Sequence, residues 1–499
     1  MSFLFLLPCL LLLLTVIYKL LLHRKGCPIN LPPSPPGLPL IGNLHQLSSL
    51  PHRSLLDLSR KYGPVMLIRM GRVPALVVSS ANAAQELFKT HDLAISTRPY
   101  SKTATKLAFG ARNISFAPYG EQWRQAKKLA VVHLLGPKRV LSFCGVREEE
   151  VRRMVERVSA ASGRRSGEVP LSEVLYEYSN GVVCHAAAGK ETREGRTAAR
   201  YREMIAQSSE LLRGFQVDDL FPSLSWLGAV TGMDAKLDSM GQKFDDFLTG
   251  ILEEHIERAK QGFDGNEDFV DVLLSLKKDG AGEVGLDEIE IKAIALDLIA
   301  AGTDTSFVLL EWAMAELMRN PQVMKKLQEE VRQITNSKPM IAEEDLNQMH
   351  YLKAVIKEVL RLHVPAPILV PREAVCSFLL QGFRIPSKTR VIVNAWAIAR
   401  DPNVWDDPEK FQPERFMNSP VDFRGNDFHY LPFGAGRRMC PAINFAMATN
   451  EIALANLVYH FNWELPDGMS PMDVDMAEAP GMTNPKRIPL RLVVTCVKN

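Results

Sequence analysis

Residues 432–447 read PFGAGRRMCPAINFAM, and this stretch constrains the chain more than any other. One cysteine, Cys440, follows two glycines and two arginines and precedes a proline-led apolar run, with no second cysteine nearby. An unperturbed thiol titrates near 8.5, so a cysteine that must be an anion at neutral pH needs positive potential around it. Gly434 and Gly436 permit a tight turn whose amides converge on the sulfur, and Phe433 can cover it. Pro441 suits the first position of a helix continuing through AINFAMATNEIALANLVYH, which would set Cys440 at a helix N-terminus, where the dipole favours an anion. Arg437 and Arg438 add cationic charge beside it.

Spacing alone leaves three uses open for such a cysteine. It could be a nucleophile with His429 as the nearest base, although an apolar shield would hinder a substrate. It could be a buried structural thiol, which would need neither the glycines nor the arginines. A metal with a single protein ligand and an anionic periphery accounts for the whole pattern: haem iron takes an axial thiolate, and arginines meet its propionates.

The seven cysteines are odd in number, scattered and free of any C-x-x-C pair, which argues against a disulfide framework or a cysteine-built zinc site. A net charge of +2 is too small a basic excess for nucleic-acid binding. Phe3 to Leu22, FLFLLPCLLLLLTVIYKLLL, is long enough as a helix to cross a hydrocarbon core of about 30 Å. No basic residue precedes it and no A-x-A-like cleavage site follows, so a membrane anchor is expected rather than a cleaved signal. Lys19, Arg24 and Lys25 lie late in or after the span, which predicts a cytosolic body and makes the sequon Asn113-Ile114-Ser115 a chance match. The domain reading is an anchor with basic flank at 1–25, a proline-rich hinge at 26–40 and a single domain at 41–499. Five prolines in LPPSPPGLP forbid a helix there and predict a stiff, extended strut.

In the body, β-prone runs occur at PVMLIRMG, PALVVSS, TRVIVNAWAI and IPLRLVVTCV. Helical period is clear at 82–89, 122–132, 146–159, 199–215, 242–261, 287–319, 321–334, 351–362 and 441–459. The expected fold class is mainly α with a small β subdomain. There is no P-loop, and the GAG at 434–436 lacks the setting of a dinucleotide site. The run 287–319 would be a helix of roughly 50 Å. Its middle holds Gly302, Thr303, Asp304, Thr305 and Ser306, all poor helix formers. Ala301, Asp304, Thr305 and Val308 share one stripe, and a local widening there would present an acid and a hydroxyl to one small volume. A solvated polar patch is the plain alternative.

FGAGRRMCPA resembles the haem-binding signature of the cytochrome P450 superfamily. AGTDTS at 301–306, KEVLR at 357–361, FQPERF at 411–416, the anchor and the proline segment follow the family's order along essentially the whole chain, and the pattern is similar to plant A-type microsomal members. The resemblance implies the haem-thiolate fold, haem b with Cys440 as axial ligand, and a monooxygenase inserting one oxygen atom of O2 into an apolar or aromatic small molecule of plant specialised metabolism. It implies Thr305 as hydrogen-bond partner of bound dioxygen and Asp304 as proton carrier. Trp123, Lys127, Arg372 and Arg438 are implied at the propionates, with Ala301 and Phe433 against the ring. Glu358, Arg361 and Arg415 are implied as a buried structural brace for the loop carrying Cys440.

Two departures stand out: Ala442 where the family commonly has glycine, and Lys127 where it has an arginine after Trp123. Lysine keeps the charge and loses the bidentate fork. Substrate contacts are expected from the loop before Trp123, from 213–217, Ala301, Ala366, Ile368, Val370 and Met482. No flavin or nicotinamide domain is visible, so the resemblance implies electrons from NADPH through a separate cytochrome P450 reductase in the endoplasmic reticulum membrane, with Lys127, Lys128 and Arg437 as part of a basic docking face. A haem-thiolate isomerase or dehydratase, and a non-catalytic haem protein, are the alternatives, and the Asp304–Thr305 pair argues against both.

Overall fold

The computed structural model describes residues 30–163, 167–189, 203–204, 207, 211, 217–261, 267–278, 286–335 and 338–497. The expected anchor, the first part of the hinge and nearly all of the expected helix at 199–215 lie outside the described residues.

Helix α1 (Pro51–Tyr62) opens a β subdomain in which β1 (Val65–Met70) and β2 (Val73–Val78) pair antiparallel. The next strand of this sheet in sequence order, β4 (Arg372–Glu373), comes after β3 (Glu168–Val169), a two-residue strand of a separate sheet. The hairpin β5 (Phe378–Leu380) and β6 (Phe383–Ile385) precedes β7 (Arg390–Val393), which runs parallel to β2 with Leu76 opposite Val391. The order of this sheet is β1-β2-β7-β4. A second sheet, β3-β9-β8, is closed by β8 (Phe461–Glu464) and β9 (Leu492–Cys496). The proline segment is extended, as its composition dictates, but it lies on the body: Leu67 donates to the carbonyl of Pro33 (2.9 Å), and Arg384 to that of Asn30 (2.7 Å).

The helical part is built from α2 (Ala81–Thr90), α3 (Lys102–Leu107), α4 (Glu121–Leu129), α5 (Cys144–Ser162), α6 (Leu171–Ala188), α7 (Met233–Lys260), α8 (Phe269–Lys278), α9 (Glu288–Arg319), α10 (Pro321–Thr335), α11 (His350–Leu362) and α12 (Ile443–His460). Helix α9 is the axis. Asp287 caps it in a capping box with Glu290, and Pro321 bars its continuation beyond Asn320. By length and apolarity it could cross a membrane, yet more than half of its most apolar window is buried inside the protein. Gly302 lets α6 approach closely: a Cβ there would stand 3.1 Å from Val183 Cγ2. Helix α6 has no apolar stripe because nearly every face of it is buried, so it escaped the periodicity reading.

The brace joins α11 to the segment before the cysteine loop. Arg361 Nε and Nη2 donate to the Glu358 carboxylate at 2.7 and 2.9 Å, and Arg415 Nε donates to it at 3.0 Å. Arg361 also reaches the carbonyls of Ala399 (2.9 Å) and Pro408 (2.7 Å), holding the 399–410 segment. Glu358 and Arg361 are fully enclosed. Glu358→Ala would leave two guanidiniums buried without their counter-charge. It should lower unfolding free energy by about 3–5 kcal/mol, read from denaturant midpoints. Elsewhere, burial pushes the Glu451 carboxyl on α12 up to about 7, with Lys353 opposing and Glu343 reinforcing the rise. A folded-state pKa above the unfolded value means stability falls as pH rises through the window between them. Glu451→Gln should therefore stabilise the protein at pH 8, and the gain should fade below pH 5 in the same denaturation assay.

Candidate active site

The cysteine loop turns twice through left-handed glycines, Gly434 (φ 71°) and Gly436 (φ 68°). Cys440 N–H then donates to the Phe433 carbonyl (3.0 Å), closing the loop. Helix α12 begins at Ile443, with Ala442 as its N-cap, so Pro441 is not its first residue, and Cys440 lies just outside the helix. The reason is local: Pro441 and Ala442 form a turn that aims the Ala442 N–H at the sulfur. Burial nevertheless pushes the thiol upward, against the pull of that amide and of Lys127. Phe433 packs edge-on against Phe423 at 5.5 Å.

The arginines divide their work differently from the expectation. Arg437 points outward and pairs with Asp92 (2.8 Å), so it does not stand beside the sulfur. Arg438 is buried and donates to the carbonyls of Ser96 (2.8 Å), Ile114 (3.2 Å) and Ala117 (2.6 Å). Arg372 donates to Asp92 (3.1 Å) and to the Ala435 carbonyl (2.7 Å). Arg98, not foreseen, donates to the carbonyls of Ser115 (2.9 Å), Val370 (2.5 Å) and Pro371 (3.0 Å). Burial depresses all three guanidiniums: Arg438 to about 9, Arg372 to about 10 and Arg98 well below its usual range, where Arg372 and Arg438 add repulsion. Three crowded cations, held by carbonyls and short of acids, suit a ligand bearing carboxylates. A haem with its two propionates fits this donor set, and Cys440 supplies the single sulfur.

Trp123 lies beneath Arg438, whose guanidinium carbon is 4.0 Å from the ring centroid. Its indole N–H donates to the Ile114 carbonyl (2.9 Å), so that donor is not directed at a propionate. Lys127 donates to the carbonyls of Arg437 and Met439 (3.2 Å), stapling α4 to the cysteine loop. Burial and the nearby Arg438 lower its ammonium to about 8.

On α9 the expected widening does not occur; the helix is regular from end to end. Thr305 Oγ1 donates back to the Ala301 carbonyl (2.7 Å), which satisfies the hydroxyl without breaking the ladder. Ala301 is exposed although α9 is the core helix, and Asp304 and Thr305 are half-buried. Unlike the rest of the core face of α9, this stripe is not closed over by the side chains of the described residues. Thr303 is buried and bonds to Ile299 (2.8 Å).

A cavity of about 370 Å³ opens between the first sheet and α3. Of the residues expected at the substrate, Ile368, Val370 and Met482 line it, and Ala366 and Ala301 do not. Phe116 and Thr103 also line it, and the Thr103 hydroxyl is buried without a partner. Of the expected contact at 213–217, Val217 alone is described, and it is exposed. Sequence reasoning missed Asp92, Arg98 and Asp297, because each finds its partners far away in sequence and none sits in a recognisable motif.

A family model described as Cytochrome P450 matches residues 32–491. Among curated proteins the chain is 48% identical over 467 residues to cytochrome P450 736A117 of Prunus mume, covering 93% of this chain and 90% of that protein. It is 45% identical over 498 residues to norfluorocurarine oxidase of a Strychnos species (98% and 97% covered), and 46% identical over 477 residues to psoralen synthase of Pastinaca sativa (95% and 98%). Among solved structures it is similar to a zebra fish cytochrome P450 with progesterone, at a TM-score of 0.76 and 25% identity, over 90% of this chain and 99% of that one.

A Cβ at position 436 would fall 2.2 Å from Asp92 Oδ1, in a left-handed conformation besides. Gly436→Ala should lower unfolding free energy by at least about 1–2 kcal/mol, the cost of left-handed backbone alone, measured by denaturant titration.

Proposed function

The chain belongs to the cytochrome P450 family, and on that premise we propose that Cys440 is the axial thiolate ligand of its haem, with Arg98, Arg372 and Arg438 holding the propionates. The protein is a haem-thiolate monooxygenase of plant specialised metabolism that takes electrons from a reductase and acts on small molecules. The observation that carries the proposal is the pairing of one loop sulfur with a crowded set of buried guanidiniums. When bound, the haem supplies the reductive activation of dioxygen, from which one oxygen atom passes to substrate and the other to water.

The chain's own residues do the rest. The Cys440 thiol must lose its proton, which its surroundings resist through burial and assist through the Ala442 N–H. Trp123 supports Arg438 by stacking, and Lys127 holds the cysteine loop in register. Thr305 carries a hydroxyl proton directed at Ala301, one bond rotation from an acceptor beside the stripe. Asp304, adjacent in sequence, is the carboxyl that replaces that proton. Glu358, Arg361 and Arg415 take no part in the chemistry.

The cavity argues for a substrate with an apolar skeleton: Phe116, Ile368, Val370 and Met482 supply the apolar wall. The names of the relatives, norfluorocurarine oxidase, strychnine-11-hydroxylase and psoralen synthase, support that class. The electron donor is the NADPH-dependent reductase of the endoplasmic reticulum membrane. It docks near the exposed Lys128 and Arg437, while residues 3–22 anchor the single domain at 41–499 on the cytosolic side. The buried Asn113, whose amide is bonded to Asp297, is no site for a glycan.

Product formation in membranes should require both NADPH and the reductase; turnover without them would favour an isomerase. Cys440→Ala should abolish the strongly red-shifted Soret band of the reduced carbon monoxide complex, and its survival would exclude this ligand. Thr305→Ala should keep that band but divert NADPH into peroxide, measured as product formed per NADPH consumed; unchanged coupling would remove Thr305 from its role.

A further inference from the structure

Asp297 lies on α9 four residues before Ala301 and eight before Thr305, on the same face of the helix. It is an acid on an otherwise mostly apolar stretch, IALDLIAA, and its partners all lie in the loop before α4. Oδ1 accepts from the Asn113 side-chain amide (2.9 Å), and Oδ2 from the Ser115 backbone N–H (2.9 Å). With its nitrogen committed to Asp297, Asn113 must present its carbonyl oxygen inward, and that oxygen accepts the Phe116 N–H at 3.1 Å. Phe116 is the loop residue whose side chain lines the cavity. The far side of the same loop is gripped by Arg98 at the Ser115 carbonyl and by Arg438 at those of Ile114 and Ala117. The loop is thus held from both sides, by the arginines at its carbonyls and by Asp297 at Asn113 and Ser115, and the carboxylate fixes which way the Asn113 amide faces.

We propose that Asp297 is a positioning residue for substrate selection: through Asn113 and Ser115 it sets where Phe116 stands in the cavity wall. This rests on the reading that the cavity takes the substrate of a haem-thiolate enzyme. It makes a definite statement about charge. In Asp297→Asn the new amide can still accept from Ser115, but its nitrogen then faces the nitrogen of Asn113. Rotating Asn113 to relieve that contact turns its nitrogen onto the Phe116 N–H, so two donors oppose each other in either arrangement. Moving the carboxylate across the contact removes the conflict. In Asp297→Asn with Asn113→Asp, residue 297 accepts from Ser115 and donates to residue 113, whose other oxygen still accepts from Phe116.

The test uses the haem-loaded full chain and two iron-binding probes. Imidazole is a bare ring with no bulk to offer a cavity wall, whereas clotrimazole carries three aryl rings on its imidazole and would meet the walls. Dissociation constants come from the Soret shift, and the readout is their ratio. Asp297→Asn should weaken clotrimazole relative to imidazole roughly tenfold or more, the effect of one buried hydrogen-bond conflict. The transposed double variant should return the ratio to within about threefold of the parent, twice the usual scatter of a measured contact energy. Should Asp297→Asn lose its haem, Asn113→Asp, which opposes two carboxylates, carries the same measurement. A ratio unchanged in the single variants, or a double variant no nearer the parent than they are, would overturn the proposal. Absence of the thiolate-type carbon monoxide band in the parent would instead overturn the haem-thiolate reading.

Discussion

Everything at the centre of this protein depends on burying positive charge with very little negative charge to balance it. Arg372 and Arg438 are buried and Arg98 half-buried, and their guanidiniums are stabilised chiefly by backbone carbonyls. That solution has a structural consequence: carbonyls can converge on a cation only if the chain segments bearing them are bent toward it. The turns at 96, 114–117, 370–371 and 435 therefore share one cause, and the glycine turn at 436 belongs with them because Asp92 must lie against it to bridge Arg372 and Arg437. A buried cation with a poor complement of acids is costly unless an anion arrives. The electrostatics and the ligand reading are thus one argument.

What was legible in the sequence was what could be read locally. The loop around Cys440 announces itself through glycines that are in fact left-handed, and the α9 boundaries follow from a capping box and a proline. Glu358 and Arg361 could be paired because three residues separate them on one helix. The illegible parts are of two kinds. Helix α6, enclosed on nearly all sides, offers no polar face to reveal a period. Asp92, Arg98 and Asp297 are single residues in ordinary loops and helices, and their roles exist only once segments 180 residues or more apart are brought together. The start of α12 was misplaced for a subtler reason: a proline suits the first helical position, but here it belongs to the turn that directs the Ala442 amide at the sulfur.

Helix α9 serves two demands that pull in opposite directions. Its role as axis asks for uninterrupted apolar packing, met by the close fit of Gly302 against Val183. Its chemical role asks for polar groups on one face, and the Thr305 hydroxyl there is kept harmless to the helix by an internal bond to Ala301, as that of Thr303 is on the buried side by its bond to Ile299. Asp297 bonds outside the helix and so ties α9 to the loop opposite.

The two departures from the family's pattern are both accommodated by the backbone around them. Ala442 stands where glycine is common, yet its φ of −97° is open to any L-residue, so the methyl costs nothing in conformation. Lys127 stands where an arginine is expected, yet its acceptors are two carbonyls from one tight turn, Arg437 and Met439. A compact ammonium with rotatable donors meets such a pair, while a rigid planar fork is matched to a carboxylate. A substitution that looks weakening in the motif is therefore matched to its acceptors in the fold.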